Sequence, residues 1–502
     1  MAEQFLNFIA GRWTEARSGQ WFENRNPANR GDLIGIFPRS DSRDVDDAVA
    51  AAAHAYKTWR LVPGPKRGEI LYKAAHILER RKEEIARAAT REMGKVIAET
   101  RGDVQEAIDT AYYVGGEGRR LFGDTVPCEL PNKFGMSVRM PVGVCGLITP
   151  WNFPVAIPSW KSFPALVCGN SLVLKPAEDT PLSAVLFVQC LEEAGVPAGV
   201  VNLIHGFGAE AGAPLVDHPG TRIISFTGSS EVGKTIAERA GRKLKKVSLE
   251  LGGKNAQIVM DDANLELAVE GALWGAFGTT GQRCTATSRI ICHERIASKF
   301  TEMILKKAER LILGDGLDPA TQVGPLINEE RRRAVHEYVK CGVEDGATLV
   351  CGGEFATGKS LDHGWFYKPT IFANVKPNMR IAREEIFGPV VSILRAASLE
   401  EAIAILNDTN YGLSSSIYTK DVNAAFHAIR EIEAGITYIN GPTIGAEVQL
   451  PFGGVKETGN GHREASWTVL DTYSEWKSVY VDYSGRLQRA QIDTHDGGTA
   501  NA

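Results

Sequence analysis

The spacing of apolar side chains changes period several times along the chain, and each change marks an element. Residues 8–37 alternate briefly and are broken by turn formers such as Asn24-Arg25-Asn26-Pro27-Ala28-Asn29, which predicts short strands and turns. Over 42–60 and 65–93 the period lengthens: Val45, Val49, Ala52 and Ala53, then Ile70, Ala74, Ile77 and Leu78, recur at helical spacing after the capping pair Asp41-Ser42. A third helix is predicted over 102–122. The first two helices read as a covering layer with no chemistry of their own. Alternation returns at 136–148, and its second half, Val142 to Ile148, is apolar apart from glycines, as in a strand buried on both faces.

From there the two periods take turns. Strands at 171–175, 200–204 and 222–227 are separated by helices at 181–194, 209–217 and 230–239. That rhythm predicts right-handed crossovers and a parallel sheet, an α/β architecture of the dinucleotide-binding type. It lacks the usual GxGxxG, which weighs against nicotinamide binding on motif rules alone. A second α/β unit follows, with a helix at 265–277, a strand at 287–293 and a helix at 296–313. The last regular segment, 474–483, is a period-2 strand, and the tail beyond Ser484 has the make-up of a disordered end.

Composition narrows the reading. At 502 residues the chain exceeds one ordinary core, so two or three subdomains are expected. A net charge of −5 gives no reason to invoke nucleic acid or an anionic membrane surface. The run Arg331-Arg332-Arg333 reads as one turn of a solvated helix. The N-terminus lacks a charged region followed by an apolar core, and no apolar run approaches the ~20 residues of a membrane span. Eight cysteines without CxxC, and ten histidines without HExxH spacing, favour reduced thiols in a cytoplasmic protein and no metal site.

Candidate chemistry centres on Gly278-Thr279-Thr280-Gly281-Gln282-Arg283-Cys284-Thr285. A thiol just after such a bend, beside Arg283, is a candidate nucleophile, since a nearby cation or backbone N–H groups lower a thiol pKa. Glu250, in Leu249-Glu250-Leu251-Gly252-Gly253-Lys254-Asn255, ends an apolar run. Partial desolvation there raises a carboxyl pKa and suits a general base. Asn152 stands between rigid neighbours in Pro150-Trp151-Asn152-Phe153-Pro154, as an oxyanion-stabilising donor requires. Phe226-Thr227-Gly228-Ser229-Ser230-Glu231-Val232-Gly233-Lys234 is a strand end, a glycine turn and a helix start.

In order and spacing these segments, with Leu174-Lys175-Pro176-Ala177-Glu178, Glu384-Glu385-Ile386-Phe387-Gly388-Pro389-Val390 and Pro451-Phe452-Gly453-Gly454-Val455-Lys456, resemble the NAD(P)-dependent aldehyde dehydrogenase superfamily. The resemblance covers about 8–483. It implies Cys284 as nucleophile, Glu250 as general base, Asn152 with the Cys284 N–H as oxyanion hole, and Glu464 as a second, proton-relaying carboxylate. His462 is an extra residue beside Glu464, and Lys161 matches a family lysine although a surface lysine is the simpler reading from sequence alone. For the cofactor, NAD or NADP with NAD favoured by Glu178, it implies Thr149, Pro150, Trp151, Lys175, Glu178, Gly228, Ser229, Gly252, Glu385 and Phe387. Around the aldehyde it implies Phe153, Trp160, Arg283, Thr285 and Phe452, with the loop 442–447.

The implied layout is a Rossmann-type cofactor domain (1–122 and 143–252), an α/β catalytic domain (253–467), a small β oligomerisation arm (123–142 and 468–483) and a C-terminal tail (484–502). The expected partners are a small aldehyde and further copies of the chain, as homodimer or homotetramer. The Cys284 segment looks most like branches acting on 2-oxoglutarate semialdehyde, and the loop 442–447 like the aminoadipate semialdehyde branch. The substrate is accordingly an ω-semialdehyde or a broad range of aldehydes, with Arg283 suited to a distal carboxylate. Alternatives left open are a CoA-acylating enzyme, a cofactor-free cysteine hydrolase, and a non-catalytic member of the same fold.

Overall fold

The computed structural model describes residues 3–493. Two sheets organise them. The first has the strand order Lys246–Glu250, Thr221–Thr227, Val144–Ile148, Ser171–Lys175, Val201–Leu203, Asn7–Ile9, Arg12–Thr14. Its first five strands are parallel, and the N-terminal hairpin closes one edge antiparallel. Strand order reverses between Val144–Ile148 and Thr221–Thr227, the place where open α/β sheets bind ligands beyond their carboxyl ends.

The second sheet runs Thr348–Cys351, Thr370–Ala373, Val390–Ala396, Arg289–His293, Ala256–Val259, Ser414–Tyr418, Ile436–Ile439 and is parallel except at Thr348–Cys351. Residues 251–255 cross from the carboxyl end of an edge strand of the first sheet to the amino end of a central strand of the second. The two sheets thus meet carboxyl edge to amino edge, and every site residue described below lies near that seam. A three-stranded antiparallel sheet stands apart, with Lys133–Pro141 paired in full register against Ser474–Asp482 and flanked by Thr125–Pro127.

Several elements depart from their predicted bounds. The third helix spans Ile97–Glu117 rather than 102–122: Thr100 and Asp103 are buried, and a Cβ on Gly118 would lie 2.4 Å from the carbonyl oxygen of Gly64, which forces a glycine where the helix stops. The run 136–148 is two strands in different sheets, split at Gly143 with φ +135°, a backbone that favours glycine. The helix predicted over 296–313 is Glu294–Ala308, because the chain turns away and the Ile312 carbonyl accepts from Gln322 N and Val323 N. The capping expectation holds at Ser42–Trp59, where Asp41 and Asp44 form a reciprocal capping box. Beyond Ser484 the described residues form turns, with Gln488 donating to the Pro131 carbonyl at 2.8 Å; the expectation of a disordered end concerns in part residues 494–502, outside the described residues. Among the described residues no helix is long and apolar enough to cross a membrane.

One buried ion pair locks the helical layer to the seam. Lys95 Nζ, fully enclosed, lies 2.8 Å from Asp103 Oδ2 and donates to the Asn152 carbonyl at 2.9 Å, while Asp103 Oδ1 accepts from Ala156 N at 2.7 Å. Removing one partner strands the other charge in low dielectric. Lys95→Met is expected to cost about 3–5 kcal/mol, read as a lower denaturant midpoint, whereas Arg17→Met, at the exposed pair with Asp47, stays within about 1 kcal/mol.

Candidate active site

The loop before Cys284 is shaped by backbone. The helix Leu265–Phe277 runs into Gly278–Gly281, where Thr279, Thr280 and Gly281 take φ of 52°, 59° and 67°. Three left-handed residues in a row are costly and persist only when surroundings dictate them. Here Thr279 N donates to the Glu99 carboxylate at 2.8 Å, Thr280 Oγ1 donates to the Gly324 carbonyl at 3.0 Å, and a Cβ on Gly281 would sit 2.2 Å from the Gly388 carbonyl oxygen. The loop is then pinned to the second sheet by Asn255, whose Nδ2 donates to the carbonyls of Cys284 at 2.7 Å and Ala286 at 2.9 Å.

Cys284 lines two connected spaces. One is a tunnel of about 650 Å³, its mouth included, walled by Phe153, Trp160, Arg283, Thr285 and Phe452 together with Glu106, Gly445 and Ala446, with Glu250 and Glu464 at its inner wall. Trp160 and Phe452 meet edge to face at 4.7 Å. The other is a cleft bounded by Pro150, Trp151, Asn152, Gly228, Ser229, Gly252, Arg331, Glu385 and Phe387. Trp151 and Phe387 pack at 5.4 Å, Phe387 with φ +55°. Thr149 is buried behind the cleft, its N donating to the Lys175 carbonyl at 3.2 Å, and Lys175 Nζ pairs with Glu178 at 3.0 Å.

The cleft has the features a dinucleotide requires. The helix Ser230–Gly241 starts at it, capped by Ser229, and the unsatisfied N–H groups of a helix start suit a phosphate. A Cβ on Gly252 would come 2.5 Å from Glu385 Oε2, so only glycine leaves that carboxyl beside open space. Gly253 N holds the other oxygen at 2.9 Å.

Electrostatics of the site are governed by burial. The Cys284 thiol is pushed up to about 12 by desolvation, then by the Glu385 and Glu250 carboxylates. Arg283 lowers it, as expected, but is outweighed: its guanidinium is engaged 3.1 Å from Glu99 and bonded through Nε to Thr279 Oγ1 at 2.8 Å. Glu250, with neither carboxyl oxygen partnered, is raised well above its ordinary value by burial and then by Glu464. Glu385 is raised to about 7 by burial. Asn152 Nδ2 donates one hydrogen to the Gln282 carbonyl at 3.1 Å, and its second remains free.

The structure also shows what the sequence reading missed. Lys161 is no surface lysine: it is buried, 2.6 Å from Glu464 and 2.9 Å from Ser225 Oγ. Glu464 itself is held by a two-way backbone bridge to Phe452 at 2.7 Å, so the extra His462 does not move it off the tunnel. The third helix, Ile97–Glu117, supplies Glu99 and Glu106 to the tunnel region, through contacts no local pattern announces. The three arginines at 331–333 are not a solvated turn, since Arg331 lines the cleft and Arg332 lies over the Phe355 and Trp365 rings at 4.5 and 4.8 Å. Among the described residues no cluster of three metal-binding side chains occurs.

The model of the aldehyde dehydrogenase family matches residues 13–479. The chain belongs to the aldehyde dehydrogenase family. It is 43% identical over 477 residues to the alpha-ketoglutaric semialdehyde dehydrogenase of Bacillus subtilis, covering 95% of this chain and 98% of that one. It is 42% identical to human retinaldehyde dehydrogenase 3, covering 94% and 92%. Among solved structures, betaine aldehyde dehydrogenase of Staphylococcus aureus in complex with NAD+ superposes with a TM-score of 0.94 at 34% identity, covering 96% and 95%. The protein is an NAD(P)-dependent aldehyde dehydrogenase. Its thiol offers a direct check: alkylation of the Cys284 peptide by iodoacetamide, followed by mass spectrometry, is expected to accelerate about tenfold per pH unit from 7 to 10 without levelling off. A plateau below pH 8 would show a thiol set by a cation instead of by burial.

Proposed function

We propose that Cys284 is the nucleophile of this aldehyde dehydrogenase, with Glu250 as its base and Asn152 in its oxyanion hole. The observation that carries this is that Cys284 lines both tunnel and cleft, so a carbonyl reaching it from one side is adjacent to a dinucleotide lying in the other. The Cys284 thiol releases its proton to solvent, the thiolate adds to the aldehyde carbon, and the oxyanion accepts hydrogen bonds from the free Asn152 N–H and the Cys284 N–H. NAD held in the cleft would supply the acceptor for the hydride that the thiohemiacetal loses, leaving a thioester on sulfur. Glu250 takes a proton from water, which attacks the thioester; the carboxylate leaves and the thiol is restored. Lys161 and Glu464 then form the next station for that proton.

Glu178, able to accept both hydroxyls of an adenosine ribose and to repel a 2′-phosphate, favours NAD. The CoA-acylating alternative gains nothing from a buried, unpartnered Glu250. For the substrate, the near-equal identity to semialdehyde and retinaldehyde enzymes does not choose a class. Arg283 is balanced by Glu99, which supports the broad-range reading over dedicated capture of a distal carboxylate. We place the enzyme in the cytoplasm as a homodimer or homotetramer. Ile436–Ile439 ends its sheet with an open edge, and the neighbouring helix Val422–Glu431 exposes Val422, Phe426 and Ile429 on one face, a surface that the arm of a second copy would cover. Domain limits at 122, 142, 252 and 467 are part of the same proposal.

Cys284→Ala is expected to abolish NAD reduction, and Asn152→Ala to lower kcat about 10²–10³-fold. Glu250→Gln is expected to leave a rapid burst of NADH but stall turnover at the thioester, visible by stopped flow and intact mass. Because burial raises Glu250 and only its ionised form accepts a proton, steady-state turnover rises with pH through that raised pKa. An acidic and a neutral aldehyde of equal length are expected to differ less than about tenfold in kcat/KM, given the balanced Arg283 charge. Phe426→Asp is expected to shift the assembled species towards monomer in light scattering.

A further inference from the structure

The helix Ile97–Glu117 carries Glu99, Asp103 and Glu106 at the i, i+4, i+7 spacing of a single helix face, so three carboxyl groups share one stripe. Two of them are satisfied by the protein. Glu99 accepts from Thr279 N and pairs with Arg283, and Asp103 pairs with Lys95 and accepts from Ala156 N. Glu106 has no such partner. It lines the tunnel, and among the described residues its carboxyl group enters no hydrogen bond and no ion pair.

A second unsatisfied group, of the opposite kind, belongs to the same wall. Trp160 lines the tunnel, and its indole Nε1 is buried without an acceptor. The other ionisable groups there have other uses: Glu250 as the proposed base, Glu464 against Lys161, and Arg283 against Glu99. The tunnel therefore holds one unused acceptor and one unused donor among aromatic rings. Buried polar groups without partners are costly, so an occupant that satisfies both is favoured over one that satisfies neither.

The chemistry of the substrate's far end separates the possibilities. An alkyl end supplies no partner, an ammonium only donates, and a hydroxyl both donates and accepts. A carboxylate adds negative charge to a wall that already carries Glu106, Glu250 and Glu464, with Arg283 already taken. Burial, followed by the Asp103 charge, pushes the Glu106 carboxyl up to about 8 against the pull of Lys95 and Arg283. Near neutral pH it holds its proton, and a neutral carboxyl matches a neutral hydroxyl better than a cation. Resting on the reading of Cys284 as nucleophile, we propose that the tunnel selects aldehydes carrying a hydroxyl group, with Glu106 and the Trp160 indole N–H as its specificity-determining partners.

Ratios of kcat/KM for paired aldehydes, on free-aldehyde concentrations and with NAD, test this. Glyceraldehyde against propanal sets the hydroxyl near the carbonyl, and para-(hydroxymethyl)benzaldehyde against para-methylbenzaldehyde sets it farther away. The wild-type enzyme is expected to favour the hydroxylated member of at least one pair about tenfold. Glu106→Leu is expected to bring that ratio within about twofold of unity, whereas Glu106→Gln, which keeps a neutral acceptor, retains most of it. Trp160→Phe, which removes the donor and keeps an aromatic wall, lowers the ratio as well and serves if the leucine variant does not fold. A general loss of activity leaves such a ratio unmoved. The proposal is overturned by wild-type ratios near unity in both pairs or by a preference that survives Glu106→Leu. It is equally overturned if para-carboxybenzaldehyde, an anion, or para-(dimethylaminomethyl)benzaldehyde, a cation, is preferred to the hydroxymethyl compound. Turnover that persists in Cys284→Ala overturns the nucleophile reading instead, whatever the ratios.

Discussion

The Asn255 side chain holds the two halves of the molecule in working order. Its amide donates to the carbonyls of Cys284 and Ala286 and accepts from Ser414 N at 3.0 Å, so one side chain joins the Cys284 loop to the second sheet. Its backbone carbonyl accepts from Ser288 and Arg289, where the strand after the loop begins. Asn255 closes the crossing that starts at Glu250, so the proposed base and nucleophile are set by the two ends of the same short segment. A carboxyl at the end of one sheet and a thiol at the start of another are brought together without either needing a direct bond to the other.

Burial dominates the electrostatics around that crossing. Cys284, Glu250 and Glu385 are all shifted towards their neutral forms by desolvation, and the carboxylates reinforce one another's effect on the thiol. The cations nearby are largely occupied: Lys95 by Asp103, Lys161 by Glu464, Arg283 by Glu99. Glu250, Lys254 Nζ and Arg331 Nε remain without partners. An environment of this kind favours chemistry in which charge appears only as the reaction proceeds, since fixed donors act strongly where water is scarce.

The same buried pairs do structural work. Lys95 and Asp103 join the helix Ile97–Glu117 to the loop carrying Asn152, so this helix governs the position of the proposed oxyanion donor. Glu99 supports the left-handed turn before Cys284. Helices with no readable motif are thus held by the site and hold it in return, which makes the tunnel wall and the fold a single energetic unit.

The alternation of strand and helix, the parallel sheet and the segments carrying Cys284, Glu250 and Asn152 were legible along the chain, because each rests on local periodicity or on a run of neighbouring residues. Element ends were less so: whether a helix starts at 97 or 102, or a strand breaks at Gly143, depends on what packs against it. Two readings failed for the same reason. Lys161 was buried against Glu464 and Arg331 lined a cleft with Trp151, each beside residues far away in sequence. By itself the sequence determined the class of fold and named the candidate reacting groups, since these follow from side-chain chemistry and short-range spacing. Only the tertiary structure decided which charges are cancelled, which way the thiol is shifted and which walls the substrate meets, because those depend on distance and water exclusion in three dimensions.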